Sequence, residues 1–175
     1  MVTPRVGALD PQHRGRLAEI LAATSVFSRD EIEVALELFD ETYVKGAPSY
    51  EFIGAYDVAG TLTGYACYGP TPGTDGTYDL YWIAVHPHAQ GAGDGSRLLR
   101  EVERRLVERG GRLLIVETSS RDSYLGTRRF YEARGYDEAA RIKSFYAPSD
   151  DRVVYTKRLT LAVRRTAVVH SPPPH

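Results

Sequence analysis

Apolar positions along this chain of 175 residues follow two rhythms. The first is helical. Asp10 followed by Pro11 marks a helix start, with Asp10 as N-cap, and predicts a helix to about Ala23. Ser28 and Glu31 form a Ser-x-x-Glu capping box that opens a second helix. Within it Ile32, Leu36, Phe39 and Tyr43 share one face. Gly46-Ala47-Pro48-Ser49 ends it. The second rhythm is extended. Tyr50 to Tyr56, Leu62 to Tyr68 and Thr77 to Val85 read as strands, separated by Ala59-Gly60 and by a turn-rich link holding Pro70, Pro72 and Gly73. Short links between consecutive strands predict an antiparallel meander.

The pattern then alternates. Ser96 to Arg109 is amphipathic, with Leu98, Leu99, Val102 and Leu106 on one face and Gly110-Gly111 as its stop. Leu113 to Thr118 reads as a short buried strand. Strand, helix and strand across Tyr81–Thr118 fit a βαβ crossover. Tyr124 to Ala133 predicts a short helix stopped at Gly135. Arg141 to Tyr146 and Arg152 to Leu159 predict a hairpin around Pro148-Ser149-Asp150-Asp151. Residues 1–159 are expected to form a single domain, and residues 160–175, ending in SPPPH, a poorly ordered tail.

Composition narrows the classes. Hydrophobic residues make up 42% and charged residues 26%, a globular profile. The formal net charge of −1 gives no global attraction to nucleic acid or to an anionic membrane, so neither is an expected partner. No apolar segment reaches the ~18 residues of a membrane span. MVTPRVGALD lacks the apolar core of a signal peptide, and the expected location is the cytoplasm. The one cysteine, Cys67, excludes an internal disulfide and a cysteine-rich metal site. His86 and His88 stand close together, but two histidines without a third ligand predict a loop surface and no metal.

The handover from strand to helix, YWIAVHPHAQGAGDGSRLL, is crowded with small residues. A helix N-terminus leaves about four N–H groups unpaired, and glycine lets backbone approach a phosphate closely. Gly91 to Ser96 is therefore a candidate pyrophosphate cradle; a tight turn is the plainer reading, and spacing alone does not separate them. The Walker and dinucleotide patterns do not fit, because Gly-Lys-Ser/Thr is missing and Ser96 stands where the last dinucleotide glycine would be.

Gln90-Gly91-Ala92-Gly93-Asp94-Gly95 resembles the Gln/Arg-x-x-Gly-x-Gly/Ala signature of the GNAT superfamily of acyl-CoA-dependent N-acyltransferases. The preceding IAVHP resembles the end of that family's fourth strand, and SRLL its third helix. RRFYEARGY (Arg128 to Tyr136) resembles the family's second motif, a helix carrying Phe-Tyr-x-x-x-Gly-Phe/Tyr. The resemblance covers about residues 5 to 159. It implies an α/β (α+β) fold with a mixed, mostly antiparallel sheet of six to seven strands, helices on both faces and splayed central strands. It implies acetyl-CoA as cosubstrate and no metal. Backbone of Ile83, Ala84 and Val85 would bond the pantetheine arm and the thioester carbonyl. Amides of Gln90, Gly91, Ala92, Gly93, Asp94, Gly95 and Ser96 would hold the pyrophosphate. Tyr131 would protonate the leaving thiolate. Tyr124 and Thr127 stand where the family often has Asn and Ala. Asp94, at a variable position, is expected to point to solvent and gain from the helix dipole.

An amine must lose its proton before it attacks a thioester, so a carboxylate or a water chain must accept one. Asp79 sits in an aromatic strand (TYDLYW), and its parity places it on the face of Tyr81, Ile83 and Val85. It is one candidate base, or else a structural acceptor. Glu117 is a second candidate, or else a strand-end carboxylate paired to an arginine. Arg97, Arg100, Arg128 and Arg129 are candidates for the 3′-phosphate, or else solvated helix faces. The carboxylates of the second helix (Asp30, Glu31, Glu33, Glu37, Asp40 and Glu41) either draw in a cationic amine or form a solvated face, and Tyr78, Tyr81 and Trp82 either line a pocket or fill core. The leading function is N-acetylation of a small-molecule or peptidyl amine by a monomer or homodimer. A non-catalytic acyl-CoA-binding module is the alternative.

Overall fold

In a computed structural model of the chain, residues 3–46 and 49–160 are described. All of the predicted tail of 160–175 except its first residue, and Ala47-Pro48 of the predicted stop, therefore lie outside the described residues. Seven strands form one mixed sheet: β1 (Arg5–Ala8), β2 (Glu51–Tyr56), β3 (Leu62–Pro70), β4 (Thr77–Val85), β5 (Leu113–Ser119), β6 (Asp137–Ala147) and β7 (Asp150–Arg158). Their order is β1-β2-β3-β4-β5-β7-β6. All neighbours are antiparallel except β4 and β5. Among the described residues four α-helices accompany them: α1 (Arg14–Ala23), α2 (Arg29–Tyr43), α3 (Asp94–Glu108) and α4 (Leu125–Glu132).

The meander and the crossover appear where the sequence pattern places them. Asp10 caps a 3₁₀ turn (Pro11–His13) that leads into α1, and Ser28 with Glu31 forms the expected capping box of α2. Three elements differ. β1 escapes the pattern because it is four residues long and none of them is buried. β6 is longer than predicted because every residue of this edge strand is exposed, so no alternation marks its ends. The hairpin turn shrinks to Pro148-Ser149, and Asp150 and Asp151 belong to β7.

The sheet buries both faces. On one face α3 packs Leu98, Leu99, Val102 and Leu106 against Tyr68, Leu80, Leu114 and Val116, and Tyr131 of α4 joins this layer. On the other, Leu17, Ile20 and Leu21 of α1 and Ala35 and Phe39 of α2 cover Phe52, Tyr65, Cys67 and Ala84. Each fully buried aliphatic side chain contributes about 1.5–3 kcal/mol, so these layers hold the sheet while its centre is left open.

Candidate active site

The opening begins with a bulge. Trp82 lies opposite Cys67, but Leu80 lies opposite Tyr68, so Tyr81 is an extra residue on β4. Bulges sharpen local twist and bend the strand. β4 then pairs with β5 only from Thr77–Leu80 to Leu113–Val116, although β4 runs on to Val85 and β5 to Ser119. Past Leu80 the two central strands part. Alternate backbone groups of β4 there face a slot with no strand across it.

The bulge also corrects the expected parity of Asp79. Asp79 lies opposite Gly69, two residues from Cys67, and so shares the face of Cys67 and Trp82. Ile83 and Val85 pack into the opposite layer, with α3. An inserted residue reverses the alternation, and the sequence carries no mark of it.

Two cavities meet at the slot. The larger, about 940 Å³, is lined by Asp79 to Ile83 on β4, Ile115 to Ser119 on β5, and Tyr131. The smaller, about 530 Å³, lies at the start of α3 and is lined by Gln90, Gly91 and Gly93 to Ser96. Ile83 and Thr127 line both.

The smaller cavity is made of backbone. Gly93 caps α3 at φ +87°, a left-handed conformation that glycine adopts without strain. The N–H groups of Gln90 and Ala92 bond back to Pro87 and Ala89 inside the loop. Among the described residues, the N–H groups of Gly91, Gly93, Asp94, Gly95 and Ser96 have no protein acceptor. Gly95 matters for a different reason: a Cβ there would lie 3.2 Å from the Phe130 ring, a tight contact that the ring would have to yield to. The Gln90 side chain donates to the Val85 carbonyl at 3.1 Å and ties the loop to β4.

Asp94 does not point to solvent. It is 4% exposed, accepts from the Thr63 hydroxyl at 2.8 Å and pairs with Arg97. The helix dipole alone favours a carboxylate here by ~0.3–1 kcal/mol. A cation and a buried hydroxyl add to that, and together they outweigh hydration of an exposed carboxylate. Asp94 thus braces the loop against β3, and Arg97, which also donates to Ala92, is committed to the same brace. Arg128 donates to the carbonyls of Ser119 and Arg121.

The larger cavity is made of side chains from both faces. Tyr131 stands on the α3 face, 3% exposed, edge-on to Phe130 and Tyr136. Burial raises its pKa, so the hydroxyl stays protonated. Asp79, Ile115 and Glu117 lie on the other face. Asp79, one residue before the strands part, accepts from the Thr71 hydroxyl at 2.6 Å. Glu117 pairs with Arg152. Asp30 and Glu31 of α2 line this cavity, whereas Glu33 pairs with Arg29 and Asp40 with Arg14. Tyr81 and Trp82 line it too, while Tyr78 packs against the α3 layer.

Three residues gain a place in the site that the sequence did not assign to them, although Tyr124 stands where the family often has Asn. Tyr124 donates to Glu31 at 3.2 Å, joining the entry of α4 to the capping box of α2. Asp150, 4% exposed, accepts from the Ser119 hydroxyl at 2.5 Å and pairs with Arg121 at 3.2 Å. Arg134 reaches the smaller cavity from beyond α4. Each depends on contacts between distant segments. Among the described residues no group of three metal-ligating side chains occurs.

The model of the acetyltransferase (GNAT) family matches residues 8–136. The chain belongs to this family. A protein assigned to the GNAT family from Desulfovibrio desulfuricans is 44% identical, with a TM-score of 0.83 over 91% of this chain and all of that one. The ribosomal-protein-S18-alanine N-acetyltransferase of Escherichia coli shares the fold at 18% identity and a TM-score of 0.74, over 93% of this chain and 98% of its own. An acetyltransferase fold from Salmonella typhimurium, solved with its cofactor acetyl-CoA, superposes at 18% identity and a TM-score of 0.68, over 94% and 99%. No curated protein matches the chain significantly in sequence. The expected α/β sheet with parted central strands is therefore the GNAT fold, and the small residues of QGAGDGS stand at its α3 entrance.

Proposed function

We propose that this GNAT protein is an N-acetyltransferase that moves an acetyl group from acetyl-CoA to a primary amine of a small molecule or peptide, by direct attack in a ternary complex within residues 1–159. The observation that carries this reading is the continuity of the two cavities at Ile83 and Thr127. One cavity offers unpaired amides to an anion, the other offers a carboxylate and a phenol, and the slot between β4 and β5 joins them.

The five unpaired amides from Gly91 to Ser96 fit a diphosphate, with the dipole of α3 behind them. The open edge of β4 at Ile83, Ala84 and Val85 suits the amide groups of a pantetheine arm and would aim the thioester at the point where the strands part. The acceptor approaches from the α1/α2 face. A lysine-like amine has a pKa of ~10.4, so freeing its nitrogen at pH 7 costs about 4–5 kcal/mol. Asp79 is the base in this reading, and Glu117, with its arginine partner, is the second candidate. Asp79 takes the ammonium proton, the neutral nitrogen bonds to the carbonyl carbon, the C–S bond breaks and the sulfur takes the electron pair with a proton from Tyr131; the second proton that the nitrogen sheds as the amide forms restores the phenol through solvent. Tyr131 lies on the opposite face from Asp79, so acid and base meet the reacting carbon from two sides.

The mouth of the acceptor cavity favours a cationic amine. Among the described residues Asp30, Glu31, Asp79, Glu117 and Asp150 line it, against one lining cation, Arg121. Cys67 is a buried free thiol, which suits the reducing cytoplasm. The test is thiol release from acetyl-CoA against a broad amine panel, with thermal shift in parallel. A ligand at 100 times its Kd adds ~2.7 kcal/mol. Turnover with stabilisation supports the enzyme. Stabilisation without turnover on any amine supports a binding module, and neither result would leave the functional reading without support.

A further inference from the structure

Arg134 stands just beyond α4 and lines the cavity of unpaired amides. Its guanidinium lies over the Phe130 ring, 3.7 Å from the centroid. Nε donates to the Ser96 hydroxyl at 3.1 Å, Nη2 donates to the same oxygen, and Nη1 donates to the Phe130 carbonyl at 2.8 Å. A guanidinium has five N–H groups in a planar fork, so these contacts take three and leave one on each terminal nitrogen. Two adjacent N–H groups in one plane are the geometry that grips two oxygens of a phosphate.

The charge is also uncompensated. Arg97, Arg109, Arg121 and Arg152 each pair with a carboxylate. Among the described residues Arg134 pairs with none; its partners are a hydroxyl, a carbonyl and a ring. A half-buried guanidinium without a counter-ion is costly unless an anion arrives. Here it is fixed in place before any ligand binds, because the ring, Ser96 and the carbonyl hold its plane.

We infer that Arg134 is the side-chain reader of a phosphoryl group of CoA, completing the backbone cradle with a bidentate cation. The inference rests on the acetyl-CoA reading above. It gives Ser96 and Phe130 a second task, which is to hold the guanidinium flat. It also separates Arg134 from Arg97, which serves the Asp94 brace.

The experiment is calorimetric binding of CoA, 3′-dephospho-CoA and S-acetylpantetheine to the full chain, with the wild type, Arg134→Gln and Arg134→Lys. Arg134→Gln is expected to weaken CoA ~10- to 100-fold, the usual worth of a charge-assisted bidentate contact. S-Acetylpantetheine, which has neither the diphosphate nor the 3′-phosphate, should change less than about threefold. Arg134→Lys keeps the charge and loses the fork, so it should fall between. A loss retained with 3′-dephospho-CoA assigns the contact to the diphosphate, and a loss that vanishes assigns it to the 3′-phosphate. Equal weakening of CoA and S-acetylpantetheine would show that Arg134 only packs α4 and would overturn the inference, as would unchanged CoA affinity in both variants. A wild type that binds no CoA would remove the acetyl-CoA reading itself.

Discussion

The cofactor side and the acceptor side of the slot are built from different materials. The cofactor side is built on one continuous segment, from the end of β4 through the loop to the first turn of α3, closed by α4 and Arg134, and its working groups are backbone amides joined by one guanidinium in the reading above. The acceptor side gathers side chains from α2, β4, β5, the start of α4 and the β6–β7 turn. A site made of backbone depends on small residues and on the conformation they allow. A site made of side chains depends on which groups are already committed to partners. Glu117 has Arg152, Asp150 has Arg121 and Ser119, and Glu31 has Tyr124 and its own helix cap. Among the described residues Asp79 has only the Thr71 hydroxyl, and it stands where the strands part.

The largest expected effect tests that ranking of carboxylates. Asp79→Asn should lower kcat ~10²- to 10⁴-fold, the range of general-base catalysis, and leave the Kd of CoA within about threefold. Glu117→Gln should cost less than about tenfold, because its charge is matched to Arg152 and its removal mainly frees that arginine. Rates measured at saturating amine and acetyl-CoA decide the matter. A larger loss in the Glu117 variant would exchange the two roles.

This division explains what was legible in the sequence. The cradle could be read because Gln90, Gly91, Gly93 and Gly95 lie in one local run between a strand and an amphipathic helix. The meander, the crossover and the capping box of α2 were legible for the same reason: their signals are local. The face of Asp79 was not, because the extra residue at Tyr81 reveals itself only in pairing with β3. Asp94 was misplaced because its partner Thr63 lies 31 residues away. Tyr124, Asp150 and Arg134 gain their roles only from contacts between distant segments. β1 and the ends of β6 were hidden because exposed edge strands bury no alternating face.

A second test concerns the phenol that stands across the slot from Asp79. Tyr131→Phe should lower kcat by roughly tenfold to a thousandfold, with little change in CoA affinity. The pH dependence carries a sign. Burial raises the Tyr131 pKa above the ordinary value of 10, so the acid form is lost only as pH rises beyond that value. The deficit of the variant should therefore stay constant from about pH 7 to about 10, because the wild-type hydroxyl remains protonated throughout. A deficit that disappears by about pH 9 would show a phenol ionising earlier than its burial allows, and Tyr131 would lose the acid role.

On the cofactor side, Gly95→Val probes backbone against packing. A Cβ at 95 meets the Phe130 ring at 3.2 Å, and branching adds to the crowding. The first turn of α3 must shift away from Phe130, which carries the plane of Arg134 with it. CoA affinity should fall ~10- to 100-fold, in keeping with the strain of overpacking by about 1–3 kcal/mol. Since Asp79 and Glu117 are untouched, kcat at saturation should fall much less than affinity. A variant that loses kcat and keeps CoA would mean that the loop aims the thioester and does not hold the phosphates.

The smallest expected effect is at Asp94, where the comparison is sharpest. Asp94→Asn keeps the size of the side chain and an acceptor for Thr63, and removes the charge that Arg97 faces. Arg97 is about a quarter exposed, and its Nε is buried without a partner, so its charge would be left partly desolvated. Stability should drop by about 1–3 kcal/mol, the cost of an unpaired group that is only partly buried. For a domain of this size that corresponds to roughly 2–4 °C of Tm per kcal/mol. CoA affinity should stay within about threefold, or rise slightly, because the amides remain and a nearby negative charge is gone. Thermal melts with and without CoA separate the two quantities. If the loss of affinity exceeds the loss of stability, the carboxylate sets the positions of the amides, and the backbone cradle itself would depend on a buried side chain.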